Sequence, residues 1–177
     1  INRDTITKVP VLDVMGGVSA YADEQIALAH YYGNGGKNSC ENTELAVSML
    51  LNDQPINGYL ALNMDAVGIV TDLVGGVTLT ITSDFSEIDP SLVQGDTMTL
   101  DGQKALTYVR SRHHIDDQTN IARMRRQQQF LTALEEKLKQ QDTEFAAKAY
   151  DALSDYMVTD IASGTAAKIG EKLKQYK

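Results

Sequence analysis

The chain holds a single cysteine, Cys40, so no disulfide forms within it. A lone thiol does not identify a compartment. In the polar stretch KNSCENTE a structural or incidental role is expected for it. No run of about 18 apolar residues occurs, so nothing reads as a membrane-spanning helix. No HxxxH, HExxH or Cys/His spacing marks a metal site. GNGGKNS at 33 to 39 has the wrong glycine spacing for a phosphate-cradling GxxxxGK[ST] loop, and no GxSxG elbow is present. Positive charge is scarce: 16 Lys and Arg face 24 Asp and Glu, for a net charge of −8. Such a balance argues against bulk nucleic-acid binding, and no recognition-helix pattern for DNA is found. Internal repeats and low-complexity linkers are also missing. With 177 residues, 42% of them hydrophobic, one domain over residues 1 to 177 is expected. The chain begins at Ile1 rather than Met, so a preceding region is expected as well.

What the chain does have is a concentration of guanidinium groups. Five of its six arginines fall in RSRHHIDDQTNIARMRRQ, residues 110 to 127, and the sixth is Arg3. A local basic patch on an acidic body points to a small anion.

The surrounding pattern mixes helices with a few strands. Residues 22 to 33 read as a short helix ended by Gly33. Asn42 or Thr43 can cap a helix through ELAVSMLLN. GYLALNM at 58 to 64 alternates as a strand does. Asp65 can cap a helix over 66 to 74 that closes at Gly75 and Gly76. VTLTITSDF at 77 to 85 is a clear strand, and 86 to 104 is rich in loop signals. KALTYVRSR can begin as a helix that leads into the arginines. Residues 120 to 140 form the strongest helix, with Thr119 or Asn120 as its cap. AAKAYDALSDYM and GTAAKIGEKLKQY complete the chain as C-terminal helices. This order implies an α/β or α+β class with a small mixed sheet, and the fold expected is an α/β domain layered α-β-α with a central mixed sheet. Two strong strands are too few for such a sheet, so further N-terminal strands are expected upstream.

On a helical wheel at about 100° per residue, Met124, Phe130, Leu131, Leu134 and Leu138 define the buried face. Arg123 and Gln127 fall inside it, Arg126 at its edge, and Arg125 on the far side. A buried guanidinium needs a carboxylate or an anionic ligand. The first turns of this helix favour an anion. Arg110 and Arg112, at i and i+2, share a face if that segment is extended. Two outcomes stay open here. The arginines can pair with acidic residues such as Asp116 and Asp117, or they can form an oxyanion site. His113 and His114 read as exposed loop residues.

The motifs resemble the LytR–CpsA–Psr family. The match runs from INRDT at residue 1, through QIALAHYYGNGG and DLVGGV, to LDGQKALTYVRSR at 100 to 112 and TNIARMRRQ at 119 to 127. It extends to QQQFLTAL, while the last 40 or so residues carry no recognised motif. The resemblance implies an extracytoplasmic phosphotransferase, held to the bacterial membrane by an N-terminal anchor outside this chain. It moves glycopolymers of teichoic-acid or capsule type from a polyprenyl-pyrophosphate carrier to peptidoglycan. By the same resemblance Arg3, Arg110, Arg112, Arg123 and Gln127 contact the pyrophosphate, with Arg126 nearby, and Arg110, Arg112 and Arg123 assist catalysis. Magnesium is implied as cofactor, its ligands lying upstream of residue 1, with no metal ligand in this chain. Asn120 stands where the family carries an aspartate, and Asp116 or Asp117 could take that place. A non-catalytic glycan-binding module and, behind it, a transcriptional attenuator are the alternatives.

Overall fold

The first strand pair is held by a turn chemistry that short polar residues supply. In the computed structural model, which describes residues 1 to 142 and 144 to 173, β1 (Ile6–Leu12) and β2 (Val18–Gln25) form an antiparallel hairpin. Asp13 closes it, its carboxylate accepting from the Met15 and Gly17 backbone N–H groups at 2.8 and 3.0 Å. Then follow α1 (Leu28–Tyr31), α2 (Gly36–Leu50), β3 (Leu60–Leu62), α3 (Asp65–Leu73), β4 (Val77–Thr80) and β5 (Thr97–Leu100). The remainder is α4 (Gly102–Arg110), α5 (Asn120–Lys139), α6 (Phe145–Leu153), a 3-10 turn (Ser154–Tyr156), β6 (Met157–Thr159) and α7 (Ser163–Leu173).

The mixture of helices and strands agrees with the expected α/β class. The expected central mixed sheet is corrected among the described residues. The strands pair as three two-stranded antiparallel ribbons, β1–β2, β3–β6 and β4–β5. Strands of three to eight residues pair with one neighbour each, and a helix rather than a further strand packs beside them.

Contacts divide the chain into two compact units. The first comprises Ile1–Leu62 with Met157–Thr165. Its core is Val9, Ile26, Ala29 and Ala46. Asn42 lies within α2 rather than at its cap. It is buried because its amide donates to Pro10 O at 2.9 Å and Ala29 O at 2.7 Å, joining helix to hairpin. The helix expected over 22 to 33 is likewise corrected: Ala22 to Gln25 belong to β2, and only Leu28–Tyr31 is helical. Cys40 is buried, and burial first, then nearby Glu44, pushes its thiol above its ordinary pKa.

The second unit comprises Asn63–Tyr156 and the residues from Ala166 on. Val77, Leu79 and Ile81 face its core, while Thr78 and Thr80 pair outside with Thr99 and Thr97. Val74, Phe85, Leu92, Leu100, Ala105, Tyr108, Val109, Ile115 and Phe130 complete that core. β5 arises inside the segment expected to be loop, and β6 begins at Met157, the last residue of a stretch expected to be helix. The last expected helix is present as α7, and residues 174 to 176 of that expectation lie outside the described residues.

The LDG motif explains how α4 is seated. Asp101 is its N-cap, accepting from Lys104 N at 2.8 Å. Gly102 donates its N–H to Asp72 Oδ1 at 2.7 Å, where α3 crosses. A Cβ at Gly102 would lie 2.5 Å from Gly68 O and 2.6 Å from Asp72 Oδ2. Gly102→Ala should therefore destabilise the chain by about 1–3 kcal/mol through overpacking. Urea unfolding checks this, and an unchanged midpoint would contradict the close approach.

Candidate anion site

The arginine cluster sits where one helix ends and the next begins. Arg110 is the last residue of α4 and is exposed. Ser111 follows in extended conformation, at φ −59° and ψ 136°, and Arg112 is exposed in the loop beyond. KALTYVR is helical as expected, and the extended backbone that would set Arg110 and Arg112 on one face begins only after Arg110. Thr119 caps α5, its hydroxyl accepting from Ala122 N at 3.1 Å. Asn120 is then the first helical residue.

The buried stripe of α5 is Ala122, Arg126 and Phe130, at i, i+4 and i+8. This corrects the wheel. Arg126, only 2% exposed, is at the centre of the face, and Arg123 is half-buried beside it. Leu131 at 61% and Leu138 at 37% exposure had drawn the apolar sector to one side. Arg125 points to solvent as expected.

Each inner side chain has identifiable partners. Arg126 donates from Nε to Tyr108 O at 3.2 Å, from Nη1 to Ser83 Oγ at 3.2 Å and from Nη2 to Ser111 O at 2.6 Å. Its guanidinium carbon lies 5.7 Å from the centre of the Phe85 ring, itself stacked on Tyr108. Burial lowers its pKa below the ordinary arginine value, opposed by Tyr108, Asp116 and Asp117. Gln127 donates to Val109 O at 3.1 Å. Tyr108 donates its hydroxyl to Gln129 Oε1 at 2.6 Å, and Gln129 donates on to Thr80 O. Ser83, Phe85 and Gln129 were not singled out from the sequence. They lie far from the arginines in the chain or carry no motif of their own.

Arg123 differs from Arg126. Its Nη2 donates to Asn120 Oδ1 at 3.0 Å, while its buried Nε has no partner. Asn120 thus orients the guanidinium without neutralising it. Among the described residues no carboxylate forms an ion pair with Arg110, Arg112, Arg123, Arg125 or Arg126. The nearby acids are engaged elsewhere. Asp116 accepts from Asp84 N and Gln94 Nε2, and Asp117 accepts from Thr119 N. Hydrogen bonds to Thr119 hold Asp117 below the usual carboxylate range, which makes it a poor general base. His113 and His114 are exposed, and His114 Nδ1 lies 3.2 Å from Glu87 Oε2. Arg3 belongs to the first unit, with Nε 3.4 Å from Asp4 Oδ1.

Guanidinium groups with no carboxylate paired to them among the described residues, at the end of one helix and the capped start of the next, suit an oxyanion with two or more charges. Among the described residues no three His, Cys, Asp or Glu side chains converge. Nor, among them, is any helix long and apolar enough to cross a membrane.

Comparison with known proteins identifies the family. The chain matches the LytR_cpsA_psr family over residues 1–177. It is 30% identical over 136 residues to the polyisoprenyl-teichoic acid–peptidoglycan teichoic acid transferase TagU of Bacillus subtilis, covering 76% of this chain and 39% of that protein. The same named transferase of Enterococcus faecalis is 30% identical over 147 residues, covering 82% and 46%. The chain thus spans less than half the length of these curated relatives. Among solved structures, B. subtilis TagV superposes with a TM-score of 0.68 at 24% identity, covering 100% of this chain and 65% of that one. An E. faecalis protein described as a transcriptional regulator superposes with a TM-score of 0.73 at 25% identity, covering 97% and 58%.

A carboxylate at position 120 would compete with any anion for Arg123. Asn120→Asp should lower the affinity for inorganic pyrophosphate about tenfold, the worth of one charge-assisted contact. Calorimetric titration at low salt checks it, and an unchanged affinity would show that Arg123 does not face the anion.

Proposed function

The chain belongs to the LytR–CpsA–Psr family, and on that premise we propose that its arginine cluster binds the pyrophosphate of a polyprenyl-linked glycopolymer during transfer to peptidoglycan. The observation that carries this reading is the unpaired state of the cluster in an acidic chain. Four exposed or half-buried guanidinium groups stand in one short stretch with no carboxylate paired to them among the described residues. The named activity of the TagU relatives supports the same direction.

In this account an acceptor hydroxyl of peptidoglycan forms a bond to the phosphorus nearest the sugar. The bond from that phosphorus to the bridging oxygen breaks, and polyprenyl phosphate leaves. Arg110, Arg112 and Arg123 hold the non-bridging oxygens and stabilise charge as it moves onto the leaving phosphate. The hydroxyl proton passes to solvent water, since Asp117, its carboxylate bonded to Thr119, is a weak base and position 120 is an amide. Magnesium belongs to the proposal by resemblance, and no step is routed through it. An extracytoplasmic site at the bacterial membrane, reached through an N-terminal anchor, is part of the same proposal, as is capsule polymer beside teichoic acid as cargo.

A second reading, glycan-carrier binding without turnover, is favoured by Asn120. Appearance of labelled glycopolymer on peptidoglycan separates the two.

Titration with a short-chain polyprenyl pyrophosphate, with and without magnesium, tests the binding claim common to both. Arg110→Ala and Arg123→Ala should each weaken binding about 10- to 100-fold, as expected for a hydrogen bond to a charged group. Arg125→Ala should change it by less than about twofold. Equal losses at Arg123 and Arg125 would contradict the site.

A further inference from the structure

Arg126 is the one cluster arginine with almost no exposed surface, and its donors face the protein rather than solvent. The carbonyls that end a helix carry about half a negative charge, and such an end repels anions. Here α4 ends at Arg110, beside Arg112, where the proposed pyrophosphate would bind. A bare carboxyl-terminal helix end would oppose that binding.

Three of the last four helical carbonyls, and that of Ser111 beyond them, have donors. Thr107 O takes the Ser111 N–H at 3.1 Å, Tyr108 O takes Arg126 Nε, Val109 O takes Gln127 Nε2, and Ser111 O takes Arg126 Nη2. Neutral donors would satisfy these carbonyls just as well. A buried charge is costly, and no carboxylate pairs with this one among the described residues. The surplus over simple capping is therefore a positive charge set on the negative end of a helix.

We propose that Arg126 is a positioning residue that reverses the electrostatic sign of the α4 carboxyl end, so that a multiply charged anion is accepted beside Arg110 and Arg112. It acts through the helix end and the direction of these two side chains, without touching the anion. This inference rests on the functional reading above.

The test uses the chain with Arg126→Gln, which keeps donors and loses charge, and Arg126→Lys, which keeps charge and loses the fork. Inorganic pyrophosphate is titrated calorimetrically at low and high salt, beside thermal unfolding of each variant. The Lys variant should stay within about threefold of the original affinity. The Gln variant should lose about tenfold, a helix-dipole-sized effect that shrinks with salt, at a melting temperature no lower than that of the Lys variant. Equal losses in both, or full affinity in the Gln variant, would reduce Arg126 to a structural clamp and overturn the proposal. Where the Gln variant fails to fold, the Lys variant decides alone: a folded variant with a tenfold loss overturns it, and one within threefold supports it. Failure of the unaltered chain to bind pyrophosphate would overturn the functional reading and this inference together. Binding that Arg123→Ala abolishes and Arg126→Gln leaves intact would overturn this inference alone.

Discussion

A guanidinium in a protein interior is tolerable only when its donors meet acceptors, and Arg126 meets that condition with the end of another helix. Its bonds to Tyr108 O, Ser111 O and Ser83 Oγ tie α5 to α4 and to the segment after β4. The same contact fixes the loop from 111 to 119 at both ends. Arg110 and Arg112 leave from one side of that loop, and Arg123 stands at the other. The geometry of the site is thus a consequence of where Arg126 is bonded.

The electrostatics follow from the same frame. The chain carries a net charge of −8, yet the acids nearest the cluster are engaged with backbone and amide donors. Asn120 completes the pattern by holding Arg123 through a neutral oxygen. These acids keep their charge and act on Arg126 through space, yet none of them forms an ion pair with the cluster among the described residues.

Much of this is legible in the sequence, and the misses have physical causes. The LDGxxALxYVR signature predicts a helix running into arginines, and five of its positions serve that helix directly. Asp101 caps it, Gly102 permits close approach, Ala105 and Tyr108 are buried, and Arg110 emerges at its end. The hairpin β1–β2 was not expected because Pro10 interrupts the first strand pattern and the second strand is exposed along most of its length. Asn42 looked like a cap because its type favours that place, but its true partners, Pro10 O and Ala29 O, come from elsewhere in the chain. Arg126 was displaced from the centre of its helix face because a wheel weighs apolarity. Apolarity cannot register a charge that is buried by hydrogen bonding.

The central claim is that Arg123, Arg110 and Arg112 face an anion while Arg126 faces the protein. Nitrogen-15 spectra of the arginine Nε–H groups during titration with inorganic pyrophosphate test this most directly. A large downfield shift and slowed solvent exchange are expected at Arg123, whose Nε has no partner among the described residues. Smaller shifts are expected at Arg110 and Arg112, and almost none at Arg125 and Arg126. A dominant shift at Arg126 with Arg123 unmoved would contradict it.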